Sequence, residues 1–267
     1  MHIWAHEHKV LAMCPVTPRP LLNSSVIAQQ VSQYWRVSVV EVTGSTQEDL
    51  LQKVSDLTIQ DGDVLATEFQ RSGRGRLDRT FEADASTALM LSLYISPHVE
   101  RSEWSFIPLI TGLSAAHAIS HINPEIDISL KWPNDLLIGA KKCGGIIAQA
   151  VAQGIVVGIG INVEMSKEQL PVSHATSLAI EGARVLDRNQ LAAALLNSFA
   201  ELHQRWEAGE DLLHLYKEKC ATLGREVEVH LPDGTQITDA AIDISKVGEL
   251  VLSSGTRITS ADVIHLR

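Results

Sequence analysis

What this chain lacks narrows its function before any motif is read. Only 4% of its residues are aromatic and only 3 are cysteine. The cysteines stand far apart, at positions 14, 143 and 220, with no C-x-x-C spacing. That excludes a disulfide framework and the common zinc and redox motifs, and it fits reduced thiols in a cytoplasmic protein. No run approaches the roughly 18 apolar residues of a membrane span. The N-terminal MHIWAHEHKVLAMCPVTPRP lacks the unbroken apolar core of a secretory signal. No G-x-x-x-x-G-K-[ST] phosphate loop occurs, and the G-x-G at 73–75 lacks the third glycine and following helix of a dinucleotide fingerprint. Positive charge is scarce too: 22 Lys and Arg against 32 Asp and Glu give a net charge of −10. This argues against bulk binding of nucleic acid or of an anionic membrane.

Against that background QRSGRGRLDRTF, residues 70–81, is an anomaly. Arg71, Arg74, Arg76 and Arg79 repel one another, and Gly73 and Gly75 between them cost backbone entropy on ordering. Arginine forks suit carboxylate and phosphate oxygens, and glycines let backbone approach a ligand closely. By itself the stretch admits two readings, an anion cradle or a solvated basic turn.

The chain is long enough for one large domain, or one large and one small. Residues 1–36 read as an N-terminal extension, with a short helix over 25–35. RVSVVEV (36–42) is a β-branched strand. In GSTQEDLLQKVSDL, Ser45 and Glu48 have capping-box spacing, so a helix starts at Ser45 and turns Leu50, Leu51, Val54 and Leu57 inward. Strands follow at 63–70 and 87–95, then an apolar helix at 102–122 in which Pro108 marks the true start or a kink. Further strands are expected at 128–133, 136–138, 144–152 and 154–163. Helices follow at 190–206, capped by Asn189, and at 210–220. Past Gly224 the texture changes to short alternating strands with PDG and SGT turns, a small antiparallel barrel, and the boundary is placed near 221. The expected parts are thus 1–36, a catalytic domain at 37–220 and a small module at 221–267.

Three further constellations carry polar chemistry. In KWPNDLLIGAKKCGGIIAQ (131–149), Gly144-Gly145 in a strand mark a bulge or a close ligand approach, with Lys142 two residues upstream. A hairpin with a lysine-bearing turn is the bland alternative. Ser45-Thr46-Gln47 stands where a helix N-terminus offers free N–H donors, although a simple cap explains Ser45 equally well. In GIGIN (158–162) the Asn162 amide has the donor and acceptor to read a base edge, or to cap a strand end.

In this order, an S-T pair, GRGR-x-x-R with a following aromatic, KWPND…K-x-GG-I and G-x-G-I-N resemble the biotin–protein ligases. The resemblance covers about residues 37–267. It implies an α+β fold: a mixed β-sheet flanked by helices, related to class II aminoacyl-tRNA synthetases and lipoate ligases, followed by an SH3-like barrel. It implies that biotin is activated by ATP to biotinyl-5′-AMP, with Mg²⁺ assisting, and passed to a lysine of a biotin carboxyl carrier protein. Ser45, Thr46, Gln47 and Gln70 would hold the ureido head of biotin, with Gly73, Arg74, Gly75, Gly144 and Gly145 around it. Arg74, Arg76, Arg79 and Lys142 would hold carboxylate and phosphates, with Arg74 and Lys142 catalytic. Phe81 would cover the adenine, and Lys131, Asn134 and Asn162 would complete the nucleotide site. Asp135 is a candidate Mg²⁺ ligand or base. Gln47, Asp78 and Phe81 depart from the residues usual in the family, where asparagine, glycine and tryptophan are common.

Some members of that family also repress transcription through an N-terminal winged helix. The 36 residues before the first catalytic strand, with prolines at 15, 18 and 20, are too few for one, so no nucleic-acid partner is expected. A homodimer is compatible with the resemblance. A lipoate or octanoate ligase of the related fold and a non-catalytic biotin-binding module are the competing functions; neither accounts for GRGR together with K-x-GG.

Overall fold

The computed structural model describes residues 19–76 and 79–266, so Asp78, Cys14 and residues 1–18 lie outside the described residues. A seven-stranded mixed sheet carries the larger part of the chain. Its spatial order is β1 (Arg36–Thr43), β2 (Asp63–Gln70), β3 (Ala88–Ile95), β7 (Ile155–Asn162), β6 (Lys141–Ala150), β5 (Asp135–Ile138) and β4 (Ile128–Lys131). The β1–β2 pair is parallel, and the other neighbours run antiparallel. The central strands β3 and β7, ALMLSLYI and IVVGIGIN, are buried along their whole length. They are covered on both faces, which is why they read as continuous apolar runs rather than alternating ones.

Helix α3 (Ile107–Ile122) packs on the sheet together with α4 (Arg188–Glu207), and α2 (Thr46–Ser55) packs against β2, β3 and β7. A 3-10 turn, Arg101–Phe106, leads into α3 with Pro108 at its first positions, where a missing N–H costs nothing. The segment Arg101–Ile122 has the length and apolarity of a membrane span, contrary to the sequence reading, yet most of it is buried inside the protein. It is the core helix of this domain.

Several local expectations shift. Leu57 is 84% exposed with a positive φ of 56°, because α2 ends at Ser55 and the chain turns out of the helix there. Helix α4 starts one residue before Asn189 and is capped by Asp187, whose side chain accepts from Asn189 N–H. The Asn189 side chain instead binds the incoming chain at Leu21 and Asn23. The first helix, α1, is only Ser24–Ala28. Leu22, Ile27 and Trp35 are all buried in the main core, so residues 19–36 are part of the folded body rather than an appendage to it.

That incoming segment is fastened by a buried ion pair. Arg188 Nη1 lies 2.7 Å from Glu68 Oε2, and Arg188 Nη2 donates to Pro20 O. Leu22 N–H and the Ser86 hydroxyl also donate to Glu68. Burial alone would raise the Glu68 carboxyl, but Arg188, Leu22 and Ser86 outweigh it and hold the group below its ordinary value.

Beyond α5 (Leu213–Lys219) lies a five-stranded antiparallel sheet in the order β11 (Arg257–Ile258), β10 (Leu250–Leu252), β9 (Gln236–Ile244), β8 (Glu226–His230), β12 (Asp262–His265). Its PDG and SGT turns place Gly234 and Gly255 at φ of 87° and 86°, as such turns require. Its apolar face joins the core of the large sheet without a break. Trp132 Nε1–H donates to Gly248 O at 2.9 Å and the Ser105 hydroxyl to Val247 O at 2.6 Å, stitching the two sheets together.

Candidate functional site

A cavity of about 730 Å³ opens between the two sheets. Its inner end is the start of α2 with the facing parts of β2, β3 and β7. Thr46 N–H and hydroxyl both point to Gln70 Oε1, at 2.8 and 3.2 Å. The Thr46 hydroxyl is also 2.8 Å from the Ser92 hydroxyl, which reaches Gln47 Oε1. Gln47 Nε2–H donates to Val156 O at 3.0 Å. Gly158 leaves room for that amide: a Cβ there would lie 2.8 Å from Gln47 Oε1.

Ser45 departs from the capping-box expectation. Its backbone is extended at the helix start, but its side chain makes no cap, and Glu48 pairs instead with Arg74 at 3.2 Å. The Ser45 hydroxyl is buried on the cavity wall and meets no hydrogen-bond partner among the described residues. Leaving such a group unpaired costs about 1–3 kcal/mol, a cost that a polar ligand would remove.

The two described arms of the arginine loop, 73–76 and 79–81, pair with each other across the outer part of the cavity. Arg74 and Thr80 form an isolated antiparallel bridge, Gly75 N–H donates to Arg79 O at 2.7 Å, and Phe81 N–H donates to Gly73 O at 2.9 Å. A Cβ on Gly73 would sit 2.3 Å from Phe81 O, so the two ends can close only over a glycine. The Phe81 ring lies on bare β7 backbone at Gly160, where a Cβ would come within 2.6 Å of it. Arg74 and Glu48 are both about half exposed, so their pairing is weak.

Lys142 and Asp135 form the facing wall, Nζ to Oδ1 at 2.6 Å, with Gly145 beside them. Lys131 also lines the cavity, and burial holds its ammonium below its ordinary value against the opposing pull of Asp135. Asn134 is committed inside the protein: Nδ2–H donates to Ile146 O, and Oδ1 accepts from Arg76 at 2.9 Å.

Most of the expected residues converge here: Ser45, Thr46, Gln47, Gln70, Arg74, Gly75, Arg76, Arg79, Phe81, Lys131, Asn134, Asp135, Lys142 and Gly145 all line one cavity. Gly73, Gly144 and Asn162 are not on its wall. Gly73 lets the two loop arms close, and Gly144 allows close strand contact, since a Cβ there would lie 2.7 Å from Gly160 O. Asn162 donates through Nδ2 to Thr176 O at 2.9 Å, the strand-end role that the sequence left open.

Residues that sequence reasoning missed come chiefly from the small sheet: Arg225, His230, Asp262 and His265 complete the outer wall. No local pattern marks them. Ser92 was missed as well, although a lone serine inside ALMLSLYI was a readable signal. Among the described residues no group of three or more His, Cys, Asp or Glu side chains is arranged to hold a metal.

The biotin/lipoate A/B protein ligase family profile matches residues 39–166. The biotin–[acetyl-CoA-carboxylase] ligase of Mycobacterium tuberculosis is 34% identical over 93% of this chain and 97% of its own length. The chain belongs to the biotin–protein ligases. Within that family, the bifunctional ligase/repressor BirA of Escherichia coli is 29% identical over 88% of this chain and 74% of its own. The biotin protein ligase of Aquifex aeolicus, solved in complex with biotin and ATP, superposes with a TM-score of 0.73 at 28% identity. That comparison covers 86% of this ligase and 98% of the other chain.

Proposed function

We propose that this ligase activates biotin with ATP as biotinyl-5′-AMP and transfers the biotinyl group to a lysine of a biotin carboxyl carrier protein. One observation carries this reading: an unpartnered buried Ser45 hydroxyl and the Thr46–Gln70–Ser92–Gln47 network share a single cavity with Arg74, Arg76, Arg79, Lys131 and Lys142. A neutral, hydrogen-bonding head and an anionic tail are what such a cavity accepts.

In the first step a biotin carboxylate oxygen bonds to the α-phosphorus of ATP, and the bond from that phosphorus to the bridging oxygen breaks, releasing pyrophosphate. Two anions must meet, so fixed cations are needed. Arg74, exposed and only weakly held by Glu48, and Lys142, once its pairing with Asp135 opens, would neutralise carboxylate and α-phosphate as charge develops. Phe81 lies over Gly160, where its ring offers a face for the adenine.

Asp135, a carboxylate on the cavity wall, would hold Mg²⁺ together with substrate phosphates once its pairing with Lys142 opens, and the ion would supply charge neutralisation on the departing pyrophosphate. In the second step the carrier's lysine nitrogen bonds to the biotinyl carbonyl carbon, AMP departs with the carboxyl oxygen, and the amine loses a proton. As the alternative to holding Mg²⁺, Asp135, released from Lys142, would receive that proton. The loop covers the reactive mixed anhydride and keeps water from it.

The carrier is assigned to a biotin-dependent carboxylase, with neither nucleic acid nor membrane as partner, in keeping with the net charge of −10. A cytoplasmic setting is supported by two buried free thiols, with burial pushing Cys143 up to about 12. Incubating the protein with biotin, MgATP and a purified biotin carboxyl carrier domain should give an avidin-positive carrier band. A blank lane, with lipoate but not biotin supporting pyrophosphate exchange, would replace this reading by the lipoate one.

A further inference from the structure

Arg76 and Arg79, assigned above to anion binding, do not hang free in the cavity. Arg76 Nη1 donates to Asn134 Oδ1 at 2.9 Å and to Ala261 O at 3.3 Å, and its Nη2 donates to the Ser260 hydroxyl at 2.8 Å. All three acceptors are neutral. Arg79 Nη2 pairs with the Asp262 carboxylate. Ser260, Ala261 and Asp262 are consecutive at the start of β12, so one short segment of the small sheet grips both arginines of a loop almost two hundred residues earlier.

The two grips differ in kind. Neutral acceptors orient the Arg76 guanidinium and leave it without a directly paired carboxylate, with Asp262 and Asp135 acting on it only at longer range, so it stands preorganised for an anion. Desolvation lowers the Arg76 guanidinium from its ordinary value, yet such a group stays charged. The carboxylate on Arg79 does the reverse: it occupies the fork that a phosphate would take. Arg79 is 65% exposed and Asp262 23%, and a pair this wet is weak enough for a multiply charged ligand to displace.

We propose that Ser260 and Asp262 are positioning residues of the ligase: Ser260 sets Arg76 for nucleotide phosphate, and Asp262 holds Arg79 as a stand-in anion that ATP displaces. The proposal rests on the ligase reading. It explains why the small sheet forms one wall of the cavity although the inner pocket is built wholly by the large one. It also makes nucleotide affinity depend on contact between the two sheets.

Two substitutions separate orientation from competition. Asp262→Asn keeps an acceptor for Arg79 and removes the competing charge, so KM for ATP in biotin-dependent pyrophosphate exchange should fall two- to fivefold. Asp262→Ala removes both, so trypsin should cut the ligand-free protein at the loop arginines two- to fivefold faster than wild type, and biotin with ATP should restore protection. An unchanged or raised KM in Asp262→Asn overturns the stand-in role. A wild-type cleavage rate in Asp262→Ala overturns the positioning role. Far-ultraviolet circular dichroism checks that both variants fold, and Asp262→Asn, nearly isosteric, keeps the test open if the alanine variant does not. Wild-type exchange with biotin, run alongside, tests the ligase reading separately, since proteolysis of ligand-free protein needs no catalysis.

Discussion

The Lys142 ammonium stands 2.6 Å from the Asp135 carboxylate, a diagonal reach across the bulged β5–β6 register in which Asp135 faces Gly145 and Lys142 faces Leu137. Gly145 beside them leaves open space, because a Cβ there would come within 3.3 Å of Lys142 Nζ. The lysine is therefore both oriented and reachable. Lys142→Ala is expected to lower biotin-dependent pyrophosphate exchange by about 10²–10³-fold, the usual loss when one preorganised charge is removed from a developing oxyanion. Exchange within a few-fold of wild type would remove Lys142 from the mechanism. Asp135→Asn should slow transfer to the carrier more than adenylate formation, measured as single turnovers of preformed biotinyl-AMP.

Arg74→Ala should shorten the lifetime of bound biotinyl-AMP, because this arginine reaches the cavity and, among the described residues, its side chain pairs only with half-exposed Glu48. Its thermal stability should change little, since such exposed pairs contribute about 0–1 kcal/mol. Stopped-flow dissociation of the adenylate tests the first expectation and calorimetry the second.

Gly158→Ala introduces a Cβ 2.8 Å from Gln47 Oε1 and 2.9 Å from Ile147 Cγ1. Overpacking of this kind costs about 1–3 kcal/mol, and here it also displaces the Gln47 amide from Ser92 and Val156. KM for biotin should rise while KM for ATP holds. Gly160→Ala should show the opposite bias, because its Cβ would meet the Phe81 ring.

Arg188→Met leaves the Glu68 carboxylate buried without its partner, and loss of about 3–5 kcal/mol of stability is expected. The Glu68 carboxyl is held below its ordinary value in the folded state, so its contribution is present above the unfolded carboxylate pKa and fades as pH falls through the folded one. Urea titrations from pH 7 downward should show wild type losing stability into the acid range and the variant starting lower with a shallower decline.

His265 gives a second pH signature. Burial, then the charges of Lys131 and Arg225, lower it to about 4, so it stays neutral in the fold. Unfolded, it binds a proton near its ordinary value of about 6.5. Stability should therefore fall as pH drops from about 6.5 towards about 4, and His265→Gln should flatten that part of the curve.

The site was legible to the extent that its chemistry is local. Arginine spacing, the glycine at 145 and Ser45-Thr46 are short patterns, and each pointed to backbone or side chains that line one cavity. Where the reading missed, two local rules competed: Ser45 has the residue type and spacing of a cap, yet tertiary packing leaves its hydroxyl unpaired on the cavity wall. Asn162 was open between two readings, and its amide takes the strand-end one by donating to Thr176 O. Leu57 fell on the helical stripe only if α2 continued past Ser55, and helix ends are set by the turn that follows.

By itself the sequence determined the family, the strand–helix order, the change of texture near Gly224, and the cationic character of one loop in an acidic chain, because periodicity and turn chemistry act over a few residues. Only the tertiary structure decided which cations are free. Asn134 and Ser260–Asp262 are far from the loop in the chain but within hydrogen-bonding reach of Arg76 and Arg79. The charge a ligand meets depends on those contacts, and closure of two sheets around one core is what brings them together.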